Sequence, residues 1–174
     1  MYKITYIILI FIFLLKSCSS KDNDIEKIKI LKEPYYIKDL VLYDFEKKKH
    51  LISEKKAEFY ILNFWASWCL PCVKEMKSLN VLQKRNKKLR VLTVSTDNDV
   101  EDAIDYFKKN NYKYLEKYYD IQKSVLSKFS VRGLPTTFVI NENLLVIAKV
   151  EGIIDWKSKK FIQWLKEIKQ LKSS

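Results

Sequence analysis

Residues 59–72, FYILNFWASWCLPC, constrain the chain more than any other stretch. The first seven are almost wholly apolar and aromatic and predict a buried strand, whereas the pattern after them has a helical period, so Cys69 and Cys72 fall where strand turns into helix. A thiol in the first turn of a helix lies beside unpaired backbone N–H groups and the positive end of the helix dipole, both of which favour thiolate. Cysteines so placed have pKa values lowered from about 8.5 into a range of roughly 3.5 to 7.5. With two residues between them, Cys69 is expected to face solvent as the nucleophile and Cys72, one turn further in, to resolve a mixed disulfide. Pro71 fits the first helical turn, where a missing N–H costs nothing.

Two blander readings of the pair are a structural disulfide and a metal site. A structural zinc ion needs four ligands, and the only further Cys and His are Cys18 and His50, neither in a second paired motif. No metal and no cofactor is expected.

The segment FYILNFWASWCLPCVKEM resembles the active-site segment of the thioredoxin superfamily and, more narrowly, of its extracytoplasmic TlpA/ResA-like branch. The similarity spans about residues 34 to 170 and includes a second signature, Val131-Arg132-Gly133-Leu134-Pro135-Thr136-Thr137-Phe138. The resemblance implies an α/β, thioredoxin-like fold: a central mixed sheet flanked by helices, with an added N-terminal β-hairpin and a central insertion. It also implies that Pro135 is cis and stands opposite the cysteines, and that Leu134 before it offers backbone groups to a bound peptide. A cis X-Pro bond is a fixed turn suited to holding a chain near a reactive thiol. Trp68, adjacent to Cys69, is implied to shield the thiol and contact substrate; Trp65 reads as a core aromatic.

The 174 residues, 48 % of them hydrophobic, suffice for one domain with a real core. The net charge of +12 invites a nucleic-acid partner, but only Arg85, Arg90 and Arg132 are arginines, and the lysines are scattered between acids without a block or binding motif. No nucleic-acid partner is expected. Residues 1–18 read as a targeting segment: Lys3 is followed by an apolar run over residues 4–15, too short for the roughly twenty residues of a spanning helix. Leu15-Lys16-Ser17-Cys18 resembles a bacterial lipobox, in which Cys18 would carry lipid, although Lys16 departs from that pattern. An ordinary cleaved signal peptide and an uncleaved anchor are the other readings; all three place the domain outside the cytoplasm. Residues 19–33 read as a polar tether and 34–174 as the domain.

Beyond the tether, residues 39–45 and 49–52 predict the N-terminal hairpin, carrying His50, to which no role is assigned. On a 100° wheel from Cys72, Met76, Leu79, Leu82 and Gln83 share one side and Lys74, Lys77 and Lys84 the other. Glu75 falls on the apolar side, where desolvation should raise its pKa. Three residues past the second cysteine is also where the ResA-like branch carries an active-site glutamate, which implies that Glu75 passes protons to or from the pair. The alternative is a glutamate at the edge of the apolar face, paired with a lysine. Asn63 stands where cytoplasmic thioredoxins carry a buried aspartate, which leaves Glu75 as the acid.

Further on, Leu89–Ser95 predicts a parallel strand, and Asp97 or Asp99 a cap for a helix from Val100 with Ile104 and Phe107 on its apolar face. Residues 114–119 predict a short strand and 121–129 a helix. Residues 136–140 and 145–150 predict a hairpin with Asn143 in the left-handed position. Asp155 is expected to cap a last helix bearing Phe161, Trp164, Leu165, Ile168 and Leu171 at buried spacing.

The resemblance implies a membrane-anchored thiol–disulfide oxidoreductase, acting outside the cytoplasmic membrane. Cys69 and Cys72 would form its redox-active disulfide and Glu75 would assist, with Trp68, Leu134 and Pro135 binding protein disulfide substrates. It further implies a reductase, with apocytochrome c cysteines or another exported protein as client and a membrane thiol reductant as electron donor. A disulfide-forming oxidase, or a copper- or zinc-delivery module using the same two cysteines, are the alternatives.

Overall fold

The computed structural model describes residues 24–171, and the expected targeting segment with Cys18 lies outside them. Its strands are β1 (Ile28–Tyr36), β2 (Val41–Tyr43), β3 (Lys49–Leu51), β4 (Phe59–Trp65), β5 (Leu89–Ser95), β6 (Glu116–Tyr119), β7 (Thr136–Asn141) and β8 (Leu145–Glu151). The helices are α1 (Leu70–Arg85), α2 (Val100–Asn110), α3 (Ser124–Lys128) and α4 (Lys159–Leu171). All eight strands join one mixed sheet in the order β1-β8-β7-β4-β5-β6-β2-β3. The β4–β5 and β5–β6 pairs are parallel and the rest antiparallel, which is the thioredoxin-like arrangement with helices on both faces. Among the described residues no helix is long and apolar enough to cross a membrane.

The strand β4 is buried along its whole length because it is central and both its faces are covered. Its alternation sorts the core into two. Phe59, Ile61 and Trp65 pack with Cys72, Met76, Leu79 and Phe107 on one face, while Tyr60, Leu62 and Phe64 pack with Leu92, Phe129 and Phe138 on the other. Asn63 shares the parity of Phe59, Ile61 and Trp65 and therefore points beneath α1. Gln83 ties the far end of α1 to β5: its Oε1 accepts from the Val91 N–H at 2.6 Å and its Nε2 donates to the Leu89 carbonyl at 2.9 Å.

Several expectations are corrected here. The tether was expected to run to residue 33, but Ile28–Tyr36 is strand β1, paired antiparallel with β8. Within that strand only Ile28 is buried, so a polar composition coexists with a strand whose order comes from backbone pairing at the sheet edge. The helix expected over 121–129 is broken: Ile121–Lys123 is a 3₁₀ turn, with Gln122 and Lys123 at positive φ, and α3 starts afresh at Ser124. The cause is Asp120, whose buried carboxylate accepts the N–H groups of Val125 at 2.8 Å and Leu126 at 2.7 Å. In the β7–β8 hairpin the left-handed residue is Leu144 (φ 60), not Asn143. There the Asn141 side chain accepts the N–H groups of Asn143 and Leu145, and burial of the Leu144 side chain, about 2 kcal/mol, offsets the roughly 1–2 kcal/mol of its conformation. Asp155 precedes α4 without capping it; Ser158 Oγ accepts the Phe161 N–H instead. On α2, Ala103, Tyr106 and Phe107 are buried and Ile104 only half so, with Asp99 as the cap.

Replacing Asp120 by alanine orphans the buried Val125 N–H and the half-buried Leu126 N–H at the start of α3. The Asp120→Ala variant is expected to lose about 1–3 kcal/mol of unfolding free energy in a urea titration, with the slope unchanged.

Candidate active site

The sequence forces a change of structure at the end of β4. Ala66, Ser67 and Trp68 form the link, the Cys69 N–H donates to the Ala66 carbonyl at 3.1 Å, and α1 begins at Leu70 with Pro71 in its first turn. Cys69 is the helix cap: its Sγ accepts the Cys72 N–H at 3.3 Å. Cys69 and Cys72 are joined in a disulfide, with their Cα atoms 5.2 Å apart. Once the bond is reduced, that N–H and the helix dipole favour negative charge on Cys69 Sγ. Cys69 is less open than expected, only 5 % exposed, and Cys72 is fully buried. The first cysteine lies at the floor of a groove of about 540 Å³ whose walls include Trp68, Leu70, Leu126, Val131 and Leu134.

The peptide bond between Leu134 and Pro135 is cis. Leu134 borders the groove, and among the described residues nothing hydrogen-bonds to its backbone. Pro135 is buried behind it, where its carbonyl accepts the Gly152 N–H at 2.9 Å. Gly152 adopts φ 87, a conformation that suits glycine. Trp68, by contrast, is 70 % exposed at the rim, while Trp65 is buried in the core.

Glu75 is 1 % exposed, beneath α1 and three residues along the same helix face from Cys72. Its Oε1 accepts from Asn63 Nδ2 at 2.8 Å and its Oε2 from Trp156 Nε1 at 2.9 Å. Asn63 Nδ2 also donates to Thr137 Oγ1 at 2.8 Å, so β4, β7, α1 and the segment before α4 converge on one carboxyl group. Burial pushes the Glu75 pKa up from 4.5 to about 7; the hydrogen bonds from Trp156, Asn63 and the Ile154 backbone oppose the rise without cancelling it. Glu75 is therefore buried rather than at the edge of the apolar face, and its side-chain hydrogen-bond partners among the described residues are Asn63 and Trp156 rather than a lysine. Glu75 also borders a cleft of about 700 Å³ with Lys74, Lys77 and Lys157, distinct from the groove that holds Cys69.

Asp97 is a site residue that sequence reasoning missed, because it was taken as a helix cap. It is buried and accepts the Ser67 N–H at 3.0 Å, the Ser67 hydroxyl at 2.8 Å and the Ser95 hydroxyl at 2.6 Å. This carboxylate pins the link two residues before Cys69. The Ser95-Thr96-Asp97 run at the end of a parallel strand was its only local signal. Trp156, the partner of Glu75, had none. His50 lies in β3 bonded to Asp44 at 2.7 Å, and among the described residues no three His, Cys, Asp or Glu are grouped as a metal site.

Residues 57–146, which span both the cysteines and the cis proline, match the Thioredoxin-like family. The chain belongs to that family. A thiol-disulfide oxidoreductase ResA of Bacillus cereus (strain ZK / E33L) is 34 % identical over 130 residues, 74 % of this chain and 73 % of the relative. The ResA of Bacillus subtilis (strain 168) is 32 % identical over 115 residues, 66 % of this chain and 64 % of the relative. Among solved structures, a thiol:disulfide interchange protein DsbE from Chlorobium tepidum matches with TM-score 0.67 at 24 % identity, covering 76 % of this chain and 94 % of that one. The exposed lipoprotein thioredoxin of Streptococcus pneumoniae strain TIGR4 matches with TM-score 0.61 at 27 % identity, covering 74 % and 98 %. This ResA-like, thioredoxin-like protein is a thiol–disulfide oxidoreductase.

The raised pKa of Glu75 has a definite sign in stability. Between pH 4.5 and about 7 the folded state keeps a proton that the unfolded state has released, so stability falls as pH rises through that window. Glu75→Gln removes the titration. The variant is therefore expected to gain on the parent by about 3 kcal/mol between pH 4.5 and pH 7.5, read as the change in their difference in unfolding free energy.

Proposed function

We propose that this oxidoreductase is a reductase of protein disulfides outside the cytoplasmic membrane, held there by its N-terminal segment. The observation that carries the reading is a capped Cys69 sulfur on the floor of a groove, with a buried acid of pKa about 7 one helical turn from Cys72. Cys69 thiolate attacks a client disulfide; the client S–S bond breaks, a mixed disulfide forms and the leaving client thiolate takes up a proton. Glu75, as carboxylate, accepts the Cys72 thiol proton. Cys72 thiolate then attacks Cys69 Sγ, closing the internal disulfide and expelling the second client thiolate. Two electrons pass from the pair to the client, and a membrane thiol reductant restores them.

Leu134, with its backbone free, and the cis Pro135 hold the client chain beside the sulfur, and Trp68 covers it from the rim. The cleft that Glu75 borders is separate from the groove, so a client seated over Cys69 leaves it open. Anchoring through a lipidated Cys18 is supported by the lipobox-like residues 15–18 and by the relationship to the pneumococcal exposed lipoprotein. Apocytochrome c cysteines are one client class, implied by the ResA-like resemblance. The Leu70-Pro71 dipeptide, without the histidine of strongly oxidising sites, favours the reducing direction.

Equilibration of the Cys69–Cys72 pair against glutathione and dithiothreitol buffers tests the direction. A potential near or below about −270 mV is expected; a value near −120 mV would make the protein an oxidase instead. In the same work Cys72→Ser should accumulate a mixed disulfide on Cys69, and Glu75→Gln should flatten the pH dependence of exchange near pH 7. An unchanged profile would remove Glu75 from proton transfer.

A further inference from the structure

The groove over the disulfide is chemically one-sided. Trp68 and Leu70, 70 % and 63 % exposed, flank Cys69 and leave apolar surface uncovered beside the sulfur. The charged side chains lining the groove are Lys123 and Arg132, and among the described residues no Asp or Glu lines it. Acids and lysines alternate over most of this chain, so two cations facing apolar walls without an acid form an unpaired positive subsite.

Both cations are placed by the backbone. Lys123 sits at φ 55 in the segment that Asp120 fixes, and its Nζ lies 3.3 Å from Asn98 Oδ1, a neutral partner that leaves the charge uncompensated. Arg132 stands two residues before Leu134, on the strip whose cis bond shapes the groove. Arg90 spends its guanidinium on Glu116, whereas Arg132 is exposed and has no carboxylate partner among the described residues. A planar guanidinium beside an apolar wall suits a carboxylate taken in two parallel hydrogen bonds. A client strand lying along Leu134 presents alternate side chains on one face at about 6.6–7 Å, so the residue two along from its cysteine faces the same groove, which Arg132 and Cys69 both line.

We propose that the groove selects client disulfides whose attacked cysteine has an Asp or Glu two residues away on an extended segment. Arg132 pairs with that carboxylate and Lys123 reinforces it, while Trp68 and Leu70 cover an apolar neighbour. This names the substrate class of the exchange described above and holds whichever way electrons flow. In the reducing direction the chemistry is unchanged: Cys69 thiolate displaces one client thiolate, which is protonated, and Cys72 displaces the other.

The test uses the full chain in detergent with its pair reduced. Three disulfide-linked peptides, identical except for Asp, Asn or Lys two residues after the cysteine, are followed by acid quench and mass analysis. The expected order is Asp, then Asn, then Lys, with the Asp peptide faster than the Asn peptide by about threefold to tenfold at low salt. The ratio should fall towards one in 1 M salt, where screening acts within about 3 Å. Because the chain's net charge attracts any acidic peptide, two double variants of equal net charge are compared. Arg132→Gln with Lys123→Gln should abolish the Asp-to-Asn ratio, and Lys159→Gln with Lys166→Gln, away from the groove, should retain it. Equal rates for the three peptides in the parent, or a ratio lost equally in both double variants, would overturn the proposal. Failure of even the Asn peptide to exchange would overturn the oxidoreductase reading along with it.

Discussion

The structure depends on the junction at which a fully buried strand becomes a helix within four residues. The strand β4 ends at Trp65, whose carbonyl accepts the Thr96 N–H in the last bond of the β4–β5 ladder, and beyond it Ser67 is held by Asp97. The chain re-enters regular structure with Cys69 as its cap. A sulfur is a poor cap compared with a hydroxyl or carboxylate, and a protein optimised for stability alone would place Ser, Thr or Asp there. What the sulfur offers is reactivity, and the backbone N–H that it accepts is the group that favours its charged form.

A second constraint follows from the first. The helix that presents Cys69 must be packed on the sheet by its opposite face, and that face carries a carboxyl group. Glu75 is tolerated because Asn63 from β4 and Trp156 from the segment before α4 both donate to it. Those bonds are too few to make it a normal carboxylate, so it titrates near neutral pH. Structural cost and chemical use coincide in this one group: a fully solvated glutamate would be ionised throughout the working range, and a leucine would hold no proton at all. Asp97, also buried, differs in kind, because its bonds are to the link before Cys69 and its effect is positional.

Much of this was legible in residue order. The apolar run, the cysteine spacing and the lysine stripe on α1 are short-range patterns of period two or 3.6, and they located β4, α1, the reactive pair and the buried aspect of Glu75. Features that need a partner distant in sequence were not legible. The residues of β1 look like a solvated tether, because an edge strand needs backbone pairing more than apolar side chains. Asp97 looks like a surface cap until the strands around it close, and it then becomes a buried acceptor, as Asp120 does before α3. Leu144 in the left-handed position contradicts local preference, and only the apolar space beneath it and the Asn141 side chain make that conformation favourable.

The sequence by itself determined that two cysteines sit at a strand-to-helix boundary, with a glutamate one turn beyond them on the apolar face. Both are consequences of spacing along a single element, which needs no knowledge of what lies opposite. The tertiary structure alone decided how that glutamate is held, that the link before Cys69 is pinned by Asp97, and that Trp68, Lys123, Arg132 and Leu134 share one groove. Those residues are brought together from separate segments, and such proximity is set by packing and sheet register rather than by local periodicity.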